Sequence, residues 1–356
     1  MAEVSARLDV PARTGDARLA GVLAALLHGE PRARVASRLV APLGMPLARR
    51  VADLVGLAPL LHRPHPDEER RAGLARMSFA ADPAVLHAVA AAILAGRDDA
   101  EAAEAREQVD WSALYAEDAG LLDEAPLRRL RADLRRALSE AGVDAEAADR
   151  CWAEARQAYA LGRIAGVTEA VAATWRRRSG EFPRLVHLVG PSGSGKSTFA
   201  ERLPGVAAYV CLDDLRQARG SRTDQRANDD VLREGLARLD AALAADRTAT
   251  VVWDATSLTP QQRAKVHAVA RRRDALVTHV VALVDEDELA RRNTVRPHPV
   301  PSSVLAAQLR RFVPPYPGQA HRTWYVGGDG TVADTDGHLG AARDGIPGGA
   351  HDGEEW

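Results

Sequence analysis

The residues with the most chemistry in them stand side by side: Gly190-Pro191-Ser192-Gly193-Ser194-Gly195-Lys196-Ser197-Thr198. This run satisfies G-x-x-x-x-G-K-[ST], the pattern of a loop that wraps a phosphate chain. Small residues let the backbone approach closely and aim N–H groups at the oxygens, and the helix start that follows adds positive potential. Lys196 would reach the β- and γ-phosphates as a point charge, and the Ser197 hydroxyl would ligate a metal ion. Only two of the 47 basic residues are lysines, Lys196 and Lys265. A lysine kept in this slot fits a demand for a compact ammonium that a planar guanidinium does not meet. ATP and Mg2+ are the expected cofactors.

A phosphate loop says nucleotide, not what is done with it. The acceptor side is sought past the ends of the next strands. AAYVCL (207–212) runs into Asp213-Asp214-Leu215-Arg216. A carboxylate there can take the proton of a hydroxyl attacking the γ-phosphate, and Arg216 can anchor a phosphate of the acceptor. The plainer reading is a pair of helix-capping aspartates. ATVVW (249–253) delivers Asp254, either a polar floor for a metal-bound water or acceptor, or a turn or N-cap residue. Asp287 to Arg296 reads as a helix with a basic C-terminal half, followed by the proline-bearing stretch 297–301 and a second helix, SSVLAAQLRRF. Two helices about such a break make a lid that would carry Arg292 or Arg296 onto the phosphates. A solvated basic face is the alternative.

The elements that must position these groups follow from pattern. Short apolar runs, LVHLV, AAYVCL, ATVVW and ALVTHVVALV, alternate with helical stretches from residue 183 onward. That alternation predicts an α/β fold with a doubly wound parallel sheet. Upstream, apolar residues three and four apart predict an all-α region over 17–145, after a flexible N-terminus at 1–16. A long helix from Ala145 to Arg177 is expected to connect the halves, with Ser179-Gly180-Glu181-Phe182-Pro183 closing a linker at 146–182. The nucleotide domain then covers 183–328, and the Gly- and Asp-rich segment 329–356 is expected to be a disordered tail.

Composition limits the partners. With 49 acidic against 47 basic residues the net charge is −2, which argues against a protein coated in basic charge for nucleic acid. Two cysteines, Cys151 and Cys211, suggest neither a disulfide framework nor a thiolate zinc site. No apolar stretch is long enough for a membrane span, and a soluble, cytoplasmic protein is expected. Oligomeric state is not legible.

Taken in order, GPSGSGKSTFAERL, LDDLR, VVWDATSL, ARRNTVR and VPSSVLAAQLRRF resemble the P-loop kinase module of polynucleotide 5′-kinases of the phage and bacterial RNA-repair type, over roughly residues 184–326. The resemblance implies that Lys196 and Ser197 bind ATP and Mg2+, and that Asp213 is the general base for a 5′-hydroxyl. It also implies that Arg216 holds the acceptor's phosphate and that Arg292 and Arg296 clamp ATP. Gln308 and Arg311 continue the lid pattern. Upstream, Ala25-Leu26-Leu27-His28-Gly29-Glu30-Pro31 looks like the His-Asp segment of HD-superfamily phosphohydrolases, but Gly29 stands where the metal-binding aspartate belongs. A degenerate, metal-free HD-like domain is therefore expected, with His28, His62, His65 and His87 as ordinary histidines. The expected partner is a nucleic-acid 5′-hydroxyl end of RNA or DNA. A small hydroxyl metabolite as acceptor, or an ATP-reading switch without transfer, are the alternatives.

Overall fold

The computed structural model describes residues 127–220, 228–284 and 286–340, with parts of 85–106. The segment expected to be a flexible N-terminus and most of the region expected to be HD-like, with its four histidines, lie outside the described residues.

Six strands form one sheet: β1 (Arg184–Val189), β2 (Val206–Cys211), β3 (Thr250–Asp254), β4 (Leu276–Ala282), β5 (Arg322–Val326) and β6 (Val332–Asp336). Their order is β2-β3-β1-β4-β5-β6, parallel throughout except for the antiparallel pair β5–β6. Parallel strands need crossovers, and helices supply them on both faces. Side chains alternate accordingly. Leu185, Val251, Trp253 and Val277 pack toward α6 (Asn228–Ala245) and α7 (Pro260–Arg272). Val186, Leu188, Val252 and Val280 pack on the other face with Phe199 of α4 (Lys196–Ala200) and with Trp324. Burial on both faces explains why the central strands read as continuous apolar runs. The α7 start is fixed locally by a reciprocal Thr259–Gln262 capping box with Pro260 in the first turn.

Directly before the sheet stand α1 (Leu127–Glu140), α2 (Ala145–Ala160) and α3 (Val167–Ala173), followed by a 3₁₀ turn at Trp175–Arg177. Leu127, Leu130, Leu134 and Leu138 form the buried stripe of α1 and meet Cys151, Trp152 and Ala155 of α2. The single helix expected over 145–177 is instead broken between α2 and α3. Gly162 turns left-handed there (φ 70°) and Gly166 caps α3 in extended geometry. Nor is 146–182 a free linker. Arg322 of β5 bonds Thr278, Asp149 and Glu146, and Asp149 also holds His338 and the Leu339 amide. This buried network seats α2 against the sheet. It also corrects the expected tail: residues 332–336 form β6, and His338 is held by Asp149 at Nδ1 and by the Trp324 indole N–H, which donates to its Nε2. Residues 341–356 lie outside the described residues.

The remaining elements are α5 (Leu212–Ala218), α8 (Glu286–Thr294) and α9 (Ser302–Arg311). All three gather at the C-terminal ends of the strands, where an open α/β sheet forms its ligand crevice. No helix among the described residues is long and apolar enough to cross a membrane.

Candidate active site in the strand-end crevice

Strand β1 runs directly into the glycine-rich loop. Gly190 has φ 144°, and a Cβ there would lie 2.3 Å from the Ala282 carbonyl oxygen, so the loop can leave the sheet this tightly only through glycine. The Gly190 amide bonds the Thr256 carbonyl at 2.9 Å, tying the loop to the segment after β3. Ser194 is buried, with its hydroxyl on the Pro191 carbonyl. Lys196 is 7% exposed and folds its ammonium back onto that same carbonyl at 2.8 Å. Burial pushes its pKa down to about 8, Asp254 and Asp213 pull it back up, and Arg296 adds to the depression. Two carboxylates and a guanidinium named from the sequence are therefore close enough for the lysine to feel their charge.

Asp254 ends β3 in the register Cys211↔Asp254, next to the phosphate loop. Its Oδ2 accepts from the Ser197 hydroxyl at 2.7 Å and from the Tyr209 phenol at 2.6 Å. A hydroxyl and a carboxylate oxygen side by side are hard donors of the type Mg2+ takes. The capping alternative for Asp254 does not apply, since its carboxylate turns to Ser197. Asp213 and Asp214 sit in the first turn of α5, and Asp213 is exposed, paired at 2.5 Å with Arg216 one turn on. Arg216 also bonds Asn228 of α6 at 3.1 Å. Cys211, just before, has its thiol pushed up to about 11 by burial and Asp254, which makes it no nucleophile at neutral pH.

The lid helices are docked. Leu289 of α8 is buried with Leu305 of α9 and Val284, and its side chain would lie 3.4 Å from a Cβ on Gly193. Arg292 bonds Glu288 on its own helix and the Gly328 carbonyl at 2.6 Å, and its Nη1 would lie 3.6 Å from a Cβ on Gly195. Asn293 clamps the proline-bearing stretch, bonding both the amide and the carbonyl of Val300. Arg296 has a buried Nη1 with no hydrogen-bond partner among the described residues. Gln308 of α9 accepts the Ser192 amide at 2.8 Å. Lys196 on a loop carbonyl and Arg296 with an orphaned nitrogen are cations whose best partner is absent from the chain itself, and a triphosphate with its metal fits that arrangement.

The crevice thus brings together the phosphate loop, Asp254, Arg292 and Arg296, with Asp213 and Arg216 at its rim. Tyr209, Glu288 and Asn293 were not foreseen. Tyr209 had one available signal, its place in β2 two residues before Cys211 and four before Asp213, on a strand otherwise built of small residues.

A second polar cluster lies on the opposite face of the sheet. The ring nitrogens of His187, His267 and His279 fall within 4.8 Å of one another, a grouping with metal-ligand spacing. His267 and His279 share a 2.9 Å hydrogen bond, and His187 bonds Ser257. Buried Arg263 stands beside them and, among the described residues, reaches only the neutral oxygens of Ser257, Val313 and Gln319. An unneutralised guanidinium next to three imidazoles opposes a cation. Burial first, and then these neighbouring cationic groups, hold all three histidines below their usual range. They are a neutral packing cluster beneath the loop that carries Asp254.

No curated protein matches the chain. Residues 185–315 match a protein family described as AAA domain, a range that takes in strands β1 to β4, the phosphate loop and helices α8 and α9. The loop geometry, the mostly parallel sheet and the match agree on a P-loop α/β fold of the nucleotide-binding type for the C-terminal part of the chain.

Proposed function

We propose that the chain is an ATP- and Mg2+-dependent kinase that transfers the γ-phosphate to a 5′-hydroxyl of RNA or DNA. The observation that carries this reading is the composition of the crevice rim. A solvent-exposed carboxylate, Asp213, lies within electrostatic reach of the buried phosphate-loop lysine and carries its own arginine, Arg216. That pair suits a transferase, which needs a base and an anchor for the acceptor beside the triphosphate.

In the reaction, the acceptor hydroxyl gives its proton to the Asp213 carboxylate as its oxygen forms a bond to the γ-phosphorus. The bond from that phosphorus to the bridging oxygen of ADP breaks in line. Arg216 leaves Asp213 for the acceptor's phosphate, which frees the carboxylate as the substrate arrives. Lys196, Arg292 and Arg296 neutralise the charge spreading over the transferring oxygens. Ser197, with Asp254 at its side, would hold Mg2+, which supplies further charge neutralisation on the β- and γ-phosphates. The HD-like half is read as lacking metal-dependent phosphatase activity.

Incubation with γ-labelled ATP and a 5′-hydroxyl oligonucleotide tests the proposal, with small hydroxyl metabolites as competitors. Label on the oligonucleotide is the expected result. Label on a small acceptor alone would leave the chemistry and replace the substrate class, and ATP hydrolysis with no acceptor labelled would remove the kinase reading.

A further inference from the structure

Asp254 receives two hydroxyl donors at one oxygen, and only one belongs to the phosphate loop. Ser197 reaches Oδ2 at 2.7 Å, and Tyr209 reaches the same atom at 2.6 Å from the neighbouring edge strand β2. Among the described residues no hydrogen bond reaches Oδ1. Asp254 is 8% exposed, so its oxygens need partners. Tyr209 is 40% exposed, so packing does not demand an aromatic ring at this position. Its register partner is Val252, two residues before Asp254, and β2 brings the phenol alongside α4 at the level of Ser197.

We propose that Tyr209 is a positioning residue for the metal: its phenol pins Oδ2 of Asp254 so that Oδ1 stays turned to the cation or its water. Ser197 can then offer a lone pair to the ion while its O–H still donates to Asp254, and the carboxylate keeps its angle because a second donor holds it. Partners that orient ligating groups in this way set metal affinity without touching the metal. The inference rests on reading Ser197 and Asp254 as the metal side of the phosphate loop. It needs no particular acceptor, and so it survives if the oligonucleotide reading fails.

The test is nucleotide binding by calorimetry, with and without Mg2+, for the full chain and Tyr209→Phe. That substitution keeps the ring and removes the hydroxyl. Saturating Mg2+ should tighten ATP binding in the unsubstituted chain, and the tightening should shrink by about tenfold in Tyr209→Phe. Metal-free ATP affinity should be unchanged, which a merely misfolded loop would not permit. In an Asp254→Ala background the same substitution should add nothing, because the group it positions is gone. Equal metal-dependent tightening with and without the hydroxyl would overturn the proposal. So would a loss of ATP affinity that is the same in the absence of metal.

Discussion

Two clusters of charge lie within this domain, and they are built on opposite rules. At the α2–sheet contact the charges gathered around Arg322 are answered from inside the chain. Arg322 takes Glu146 and Asp149, Arg184 shares Glu146, and Asp149 is completed by His338. Burial alone would push the Glu146 carboxyl up, yet Arg322 and Arg184 hold it below its usual range. At the strand-end crevice the principal cations are left open: Lys196 rests on a loop carbonyl and Arg296 keeps a buried nitrogen without a partner. Closed networks hold a fold together, and open ones wait for a ligand. Burial is similar in the two places, so satisfaction rather than depth is what separates structure from function.

That contrast can be broken most forcefully at Lys196. Replacing it with alanine should lower turnover by roughly a thousandfold and weaken ATP binding, while the melting temperature stays near that of the unsubstituted chain. A large loss of stability would place Lys196 in the wrong class. Arg322→Met should do the reverse. It leaves Glu146 with Arg184 alone and Asp149 with His338 and the Leu339 amide, and should cost up to about 3 kcal/mol of stability by denaturant titration, with kcat of the folded protein unchanged.

The histidine cluster sharpens the comparison through pH. His267 is held down to about 4 in the folded chain, against an ordinary value near 6.5. The unfolded chain therefore takes up the proton first as pH falls. The stabilising contribution is full above about 6.5 and is lost progressively toward 4, at up to about 1.4 kcal/mol per pH unit for each such histidine. Melting temperature should fall on acidification from pH 7 to 5, and His267→Phe should flatten the profile; an unaltered slope would contradict the neutral cluster. The smallest effect concerns the open site. With its pKa lowered to about 8 by burial, Lys196 is charged below that pH and loses its proton above it. ATP binding should weaken by up to about tenfold between pH 8 and 9 and should be accompanied by proton uptake, measurable by calorimetry in two buffers.

The sequence disclosed the phosphate loop fully, because Gly190, Gly195 and Lys196 each answer a local steric or electrostatic demand. It disclosed the parallel sheet as well, since both faces of β1, β3 and β4 are buried and the apolar runs are unbroken. What it hid was carried by long-range contact. Glycine and aspartate around 329–336 look like a tail, yet β5 supplies the hydrogen bonds that make β6, and Asp149, some 190 residues away in sequence, fixes Leu339. The break at Gly162 and Gly166 was present in the letters but masked by the helical periodicity on either side. Tyr209 was invisible because its role depends on which strand lies next to β3, a matter of sheet order. Asn293 was lost within a run read for its charge, although its amide is what clamps the lid's turn.

The central claim is that Asp213 takes the proton of the attacking hydroxyl, and Asp213→Asn tests it most directly. Transfer of labelled phosphate from ATP to a 5′-hydroxyl oligonucleotide should fall by at least about a hundredfold, with ATP affinity retained. Transfer at the unsubstituted rate would contradict the account.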